Sequence, residues 1–301
     1  MDRFESASTF VAVVEAGGFS AASRRLRMPL ATVSRKVTEL EEHLKARLLT
    51  RTSRKVEPTE AGAQFYVAAR RLLEEFAEAE RQAGGEYRAP QGSLAVSAPM
   101  AFGRLHMTPL ITEFLAAYPQ VDVSLQLGDR MVNLAEEHID LAVRIGALPD
   151  SALLARRLGA IRYVCVASPA YLAARGEPLA PEALAGHDCI TFTGLESPTE
   201  WRFGESRAAV HSRLALNMVE AAVDAAVAGA GIARLLCYQV AQAVRAGTLR
   251  VLLKPHEPEP LPLHFVTLGG RQSPLKLRAF SDFIAPRLPP RLVFDDRLAG
   301  A

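Results

Sequence analysis

Residues Phe10 to Leu44 read FVAVVEAGGFSAASRRLRMPLATVSRKVTELEEHL, and the spacing of apolar positions in this stretch decides the N-terminal fold. Phe4, Ala7, Phe10, Val11 and Val14 recur at helical intervals, and Gly17 with Gly18 supplies a stop. Ser20 is placed to cap a second, short helix from Ala21 to Leu26, whose small Ala21 and Ala22 permit close packing. Arg27, Met28 and Pro29 make a turn. A third helix follows, with Leu30, Val33, Val37, Leu40 and Leu44 along one buried stripe. Three helices with a tight turn between the second and third describe a helix-turn-helix unit.

The third helix also indicates which side chains are free to meet a ligand. At about 100° per residue, the side opposite the stripe carries Ala31, Arg35 and Thr38, with Thr32 and Glu39 close by and Ser34 and Lys36 at the flanks. That set suits a DNA major groove. Arg35 can pair bidentately with guanine O6 and N7, while Ala31 and the Thr32 methyl can meet a thymine methyl. Ser34 and Lys36 are better placed for phosphates, contacts that fix register without reading sequence. The alternative for Arg35 is an intramolecular pair with Glu39, one turn on. Ser20, at the start of the second helix, completes the DNA-facing set.

Arg47 to Val56 is short, β-prone and basic, and reads as a two-stranded wing that brings Arg51, Arg54 and Lys55 near the DNA backbone. Thr59 is suited to cap the next helix, with Glu60 favourable in its first turn. Charge is distributed accordingly. The 301-residue chain holds 35 Lys and Arg against 33 Asp and Glu, a formal charge of only +2. Between Arg24 and Lys55, however, ten basic residues face three acidic ones. Residues 1–60 carry 11 basic and 8 acidic residues, and the remainder 24 and 25. Such a concentration fits a surface facing a polyanion; a solvated helical face is the plainer alternative.

The runs Phe10 to Ala22, Thr32 to Val37, Leu40 to Leu44 and Arg51 through Pro58-Thr-Glu-Ala-Gly62 together resemble the N-terminal domain of LysR-type transcriptional regulators. Two positions depart from the family: Arg27 stands where Gly is usual, and Pro29 where a Ser cap is common. A left-handed backbone at Arg27 costs on the order of 1 kcal/mol, which predicts a slightly altered turn, and the added positive charge lies near the phosphates. Pro29 is tolerable because the first helical turn has no use for its missing N–H.

From Ala61 the pattern becomes a long helix with Phe65, Ala69, Leu72, Phe76, Ala79 and Ala83 at heptad-like spacing on a charged background. So narrow a seam buries against a partner's matching helix or against its own domain. The resemblance favours the partner, since LysR-type proteins pair through this linker, and paired readers address inverted half-sites. Gly84-Gly85 ends the helix, and Ala89 to Gly92 reads as a hinge.

Beyond it strand and helix alternate. Strands are predicted at Ser93–Ser97, Val121–Leu127, Leu141–Ile145, Tyr163–Ala167, Ile232–Leu236 and Leu263–Leu268. Helices are predicted around Leu110–Leu115, at Met131–Glu137, from Pro169, at Met218–Ala228 and at Pro274–Phe283. The alternation implies mostly parallel sheet covered by helices, and its length allows two lobes with a cleft. Gly92 to Pro99, Phe114 to Pro119, Asp140 to Gly146, Ala167 to Pro178, Leu184 to Cys189 and Ala228 to Ala233 resemble the LysR-type effector domain, which shares its two-lobed fold with periplasmic binding proteins. Thr267-Leu268 departs from a frequent Tyr-Pro. The predicted whole is an α+β multi-domain chain: a winged helix-turn-helix (1–60), a dimerising linker helix and hinge (61–88), and a two-lobed α/β effector domain (89–301).

Ligands in open α/β sheets sit at carboxyl ends of strands, near helix N-termini. This rule nominates Ser97, Met100, Ala101, Arg144, Gly146, Ser168 and Thr193, with Phe102 as an apolar wall and Asn217 and Thr267 as outer candidates. A small organic acid is the natural guess, although Arg144 can instead pair with Asp140 or Glu137.

Other classes find less support. Gly229-Ala-Gly231 follows a helix and precedes a strand, the reverse of a dinucleotide site. His187-Asp188-Cys189 lacks a nucleophile's partners, so no catalytic residue is assigned. Cys165, Cys189 and Cys237 form neither a disulfide framework nor a metal knuckle, so no metal or cofactor is expected. A solute-binding protein accounts only for residues 90–301, and the acidic N-terminus is unlike a secretory leader. With no stretch approaching a membrane span, the chain reads as a cytoplasmic regulator. The resemblance implies a homodimer or homotetramer that binds double-stranded DNA at inverted-repeat promoter sites under small-molecule control.

Overall fold

The computed structural model describes residues 2–51, 56–83, 89–149, 153–192, 199–268 and 273–294. The chain divides into two compact units, Met1–Ala89 and Pro90–Ala301.

In the first unit, α1 (Arg3–Glu15) begins at Asp2, whose carboxylate accepts from the Phe4 and Glu5 amides at 2.9 and 3.2 Å. α2 spans Phe19–Leu26 and α3 spans Leu30–Leu44. The second helix starts two residues before the predicted position. Gly18 is its N-cap, with extended backbone and no side-chain bond, so Ser20 sits inside the first turn and is not the cap. The turn is also not altered as predicted. Arg27 adopts the left-handed conformation itself (φ 52°, ψ 38°), on the order of 1 kcal/mol of strain. Local bonds hold it there: the Met28 amide donates to Ser23 O at 3.1 Å, and the Ser23 hydroxyl donates to Met28 O at 2.6 Å.

Val33, Val37 and Leu40 of α3 are buried against Phe10 and Val13 of α1 and Ala22 of α2. The stripe is shorter than the periodicity predicts: Leu30 and Leu44, the first and last residues of α3, are 47% and 38% exposed. β1 (Leu49–Arg51) and β2 (Val56–Pro58) pair antiparallel as a wing, Leu49 opposite Pro58 and Arg51 opposite Val56. α4 (Glu60–Ala83) follows, capped as predicted by Thr59, whose hydroxyl oxygen accepts from the Gly62 amide at 3.0 Å. Gly62 presses on the wing so closely that a β-carbon would lie 1.8 Å from Leu48 O, and only glycine fits.

The linker seam divides in two. Phe65 and Ala69 belong to the core of the first unit, Phe65 with its ring 5.6 Å from that of Phe10. Further along, Leu72 is 62% and Phe76 48% exposed, with the Phe76 ring 4.6 Å from that of the exposed Phe4. The start of α4 is therefore continuous with the helix-turn-helix core, and residue 60 marks no break in packing.

The second unit has two lobes. β3 (Gly92–Ala98), β4 (Val121–Leu127) and β5 (Leu141–Ile145) build the first sheet with β6 (Leu154–Ile161) and a late strand, β14 (Leu261–Thr267), in the order β4-β3-β5-β14-β6. The second lobe holds β7 (Tyr163–Ala167), β8 (Asp188–Phe192), a hairpin of β9 (Glu200–Phe203) and β10 (Ser206–Ala209), β11 (His211–Leu216), β12 (Ile232–Leu236) and β13 (Arg250–Leu252). Its sheet runs β11-β8-β12-β7-β13, and β14 (Leu261–Thr267) then returns to lobe one. Covering helices are α5 (Met100–Phe102), α6 (Thr108–Ala117), α7 (Pro169–Arg175), α8 (Val219–Val227), α9 (Cys237–Arg245), α10 (Leu275–Ile284) and α11 (Leu288–Arg291); a π-helical turn, Gly103–Met107, joins α5 to α6.

Both sheets are mixed and not mostly parallel. β14 is antiparallel to β5 and β6, and β7 is antiparallel to β12 and β13, because strands that cross between lobes join the parallel βαβ units. Met131–Glu137 is not a helix. It forms turns in which Val132, Leu134 and Ile139 pack separately on Ala142 and Val266 of the sheet. Gly231 serves close approach: a β-carbon there would lie 2.3 Å from Asp188 O. One buried cluster, including Leu94, Phe114, Phe265, Ile190, Leu235 and Tyr238, runs through both lobes.

Candidate nucleic-acid interface and effector cleft

The packed face of α3 orients the opposite one. With Val33, Val37 and Leu40 inward, Ala31 and Arg35 are exposed, and Thr32, Ser34 and Thr38 are half-buried beside them. Arg35 is 66% exposed and its guanidinium donates to Glu39 at 3.2 Å, the intramolecular pair foreseen as its alternative. An exposed i,i+4 pair contributes only about 0.3–0.5 kcal/mol, so a better acceptor can displace Glu39. Lys36 stands apart from this set. Its side chain is 14% exposed and its ammonium donates to Glu5 at 2.5 Å, which ties α3 to α1 and leaves it poorly disposed toward a phosphate.

Around α3 the exposed cations are Arg24, Arg25, Arg27, Lys45 and Arg47, with Arg25 held by Glu15 at 2.7 Å. The backbone of Arg51 lies in the first wing strand. Arg54 and Lys55 lie outside the described residues. Ser20 is exposed in the first turn of α2. Sequence reasoning put Leu30 in the buried stripe; the structure exposes it, an apolar surface at the amino end of α3.

In the second unit, Ser97 lies near the carboxyl end of β3, largely buried, and Met100 is exposed just beyond. The Met100 amide is already engaged, donating to the Asp129 carboxylate at 3.0 Å. Asp129 was not foreseen, although it follows the carboxyl end of β4 and the strand-end rule reaches it. Ala101 and Phe102 are buried; the Phe102 ring, expected as an apolar wall, packs 4.9 Å from His106 and edge-on at 5.3 Å from Tyr238 of the other lobe. Burial raises the Tyr238 phenol above its ordinary range and pushes His106 down to about 4, helped by the Arg291 charge. Arg104 of the π-helical turn meets Glu220 of α8 at 3.1 Å, a second contact between the lobes.

Arg144 pairs with neither Asp140 nor Glu137. It donates to Val132 O at 2.7 Å, while Asp140 accepts from the Ala95 amide and Glu137 pairs with Arg130. Gly146 ends β5 with φ 112°, its amide donating to Pro262 O at 2.8 Å. Ser168 is buried as the N-cap of α7, its oxygen accepting from the Tyr171 amide at 3.3 Å. Asn217 is exposed after β11, and Thr193 lies outside the described residues. Thr267 falls away from Gly146. It pairs with Leu141 while Leu263 pairs with Ile145, so the antiparallel ladder separates Thr267 and Gly146 by five residues, about 17 Å. Ser97, Met100 and Asp129 thus gather at the end of β3, and Arg144 and Gly146 at the end of β5.

The decoys are structural. The Tyr171 hydroxyl bonds His187 Nδ1 at 3.1 Å, and burial pushes the Cys189 thiol up to about 12 and raises that of Cys237. Among the described residues no group of His, Cys, Asp and Glu could hold a metal ion, and no helix is long and apolar enough to cross a membrane.

Comparison with known proteins covers both units. Residues 4–63 match the family described as bacterial regulatory helix-turn-helix protein, lysR family, and residues 88–289 match the LysR substrate binding domain. An HTH-type transcriptional regulator of Xanthomonas campestris pv. campestris (strain 8004) is 37% identical over 287 residues, covering 93% of this chain and 83% of that protein. CrgA, an HTH-type transcriptional regulator of Neisseria meningitidis serogroup C (strain 8013), is 36% identical over 288 residues, covering 94% and 96%. The solved structure of CrgA from Neisseria meningitidis, a LysR-type transcriptional regulator, aligns with TM-score 0.61 at 35% identity over 95% of this chain and 98% of that one.

Proposed function

The chain belongs to the LysR family of transcriptional regulators, proteins that bind DNA and whose output an effector modulates, and from that premise we propose how its own residues carry the activity. Arg35 reads guanine from the outward face of α3, with Ala31, Thr32 and Thr38 beside it. Ser20, Ser34, Arg51, Arg54 and Lys55 hold the phosphates. The observation that carries this reading is the division of α3 itself: Val33, Val37 and Leu40 are packed inward while Ala31 and Arg35 project outward, Arg35 held by one weak pair. Lys36 is the least suited of the original set.

Two copies pair through the exposed half of α4, where Leu72 and Phe76 await cover, and present two readers to an inverted repeat. The second unit binds a small effector near Ser97, Met100, Asp129, Arg144 and Gly146, in the cytoplasm. An organic acid remains the working ligand class, carried by Arg144; Met100 contributes less, since Asp129 already takes its amide. The effector acts only through a difference in affinity between lobe arrangements, and the contacts that differ include Arg104–Glu220 and Phe102–Tyr238. Binding of the purified chain to the DNA flanking its own gene, against random DNA at moderate salt, tests the proposal. Preference for the flanking DNA with a steep salt dependence is expected, and equal binding to both would refute it.

A further inference from the structure

One face of the lobe-one sheet carries a row of two arginines and a histidine with no negative partner among the described residues. His264 of β14 is paired directly with Arg144 of β5 on one side and with Arg157 of β6 on the other. Directly paired residues of antiparallel strands project to the same face, so the three side chains stand in line over about 10 Å, two strand spacings. The same alternation puts Ala142 and Val266 on this face, where they pack with Val132, Leu134 and Ile139 as an apolar patch beside the row.

Nothing among the described residues neutralises it. Arg144 gives one N–H to the Val132 carbonyl. Arg157 is exposed and makes no hydrogen bond or ion pair among the described residues. Nδ1 of His264 is buried without a hydrogen-bond partner, and the Arg157 charge adds to desolvation in disfavouring its protonation. Elsewhere in this unit arginines are held by carboxylates, as in Arg104–Glu220, Arg162–Glu257 and Arg213–Asp188. Arg156, one residue before Arg157 and so directed to the other face, has Asp282 at 3.0 Å. Like charges side by side on a sheet face cost stability, and Arg157 and Arg144 flank a third group that can only add to that charge.

We propose that Arg157, His264 and Arg144 form a binding site for a small oxyanion, a carboxylate or a phosphate. The guanidinium of Arg157 supplies a forked pair of donors that matches either anion, the remaining N–H groups of Arg144 close the other end, and the imidazole lies between them. The apolar patch accommodates the body of an organic acid. Arg144 is shared with the proposed effector cleft, but Arg157 lies two strands away on the edge of the sheet, so the Arg157 variant tests this site apart from that reading.

The test is a thermal-shift titration of the full chain with inorganic phosphate and, separately, benzoate, in the low millimolar range against chloride at matched ionic strength. The wild type and Arg202→Gln, which alters an exposed arginine in the other lobe, should show the same saturable rise with at least one probe, and the probe that works identifies the source. Arg157→Gln and His264→Gln should weaken that binding tenfold or more. Without anion, Arg157→Gln should be at least as stable as the wild type, because it removes repulsion. The proposal is overturned if neither probe gives a saturable shift, if Arg157→Gln binds as the wild type does, or if Arg157→Gln alone lowers the melting temperature.

Discussion

Acid should destabilise the second unit through one identifiable group, His106. The residue is 9% exposed, its ring beside Phe102 and Tyr238, Nε2 has no hydrogen-bond partner among the described residues, and burial followed by the Arg291 charge lowers its pKa from 6.5 to about 4. Above the unfolded pKa the imidazole is neutral in both states, so the stability is fully present. As pH falls from about 6.5 toward 4, the unfolded chain takes up a proton that the folded one refuses. Stability then drops by roughly 1.4 kcal/mol per pH unit, about 3 kcal/mol in all. Below the folded pKa both states are protonated and the slope vanishes. Urea unfolding at fixed protein concentration can be followed by Trp201, the chain's single tryptophan, which is buried in the second lobe. His187 and His264 are lowered too and carboxylates also titrate, so the readout is the difference between wild type and His106→Gln. Between about pH 7 and pH 4.5 the variant should lose about 2–3 kcal/mol less than the wild type. Parallel curves would refute the reasoning.

Three further outcomes follow from packing and charge. Leu72→Asp puts a carboxylate on the exposed half of α4 and should lower self-association at least tenfold by analytical ultracentrifugation, leaving helicity unchanged; an unaltered sedimentation profile counts against pairing through this face. Gly62→Ala places a β-carbon against Leu48 O and should cost more than about 2 kcal/mol in chemical unfolding of the first unit, and a cost near zero would show that the wing moves freely. Glu220→Gln removes the carboxylate that holds Arg104 across the lobes and should change the effector concentration needed for half-maximal response without changing DNA affinity in its absence; an unchanged response would exclude this pair from the lobe equilibrium.

What could be read from the sequence was mainly local. Val33, Val37 and Leu40 declare their face because helical periodicity needs no partner to be recognised, and the Thr59 cap lies three residues from the amide it accepts. Leu30 and Leu44 share that periodicity but stand at the two ends of α3 and are exposed, and no pattern along the chain records how far a neighbour covers a helix. Arg27 shows that a strained turn tolerates a non-glycine residue when Ser23 and Met28 brace it. Lys36 looks free because its partner, Glu5, lies thirty-one positions away. The same holds on a larger scale for β14, whose antiparallel return from the second lobe carries Thr267 away from Gly146. Strand order is a property of the assembled sheet. Ser168 follows a strand end and Phe102 opens a helix, as the sequence reading has them, but their side chains turn onto a helix cap and into the core. The turns at 131–139 escaped because their apolar residues pack one at a time and not along a helical stripe.

The central claim, that α3 reads bases while the wing holds the backbone, is tested most directly by comparing Arg35→Ala with Arg54→Ala. Binding to the cognate inverted repeat and to versions with single base changes is measured across a salt series. Arg35→Ala should lose about 1–3 kcal/mol on the cognate site and lose discrimination at one base pair in each half-site. Arg54→Ala should weaken every sequence about equally and reduce the salt slope by about one. The reverse pattern, with discrimination lost in Arg54→Ala and retained in Arg35→Ala, would contradict the account.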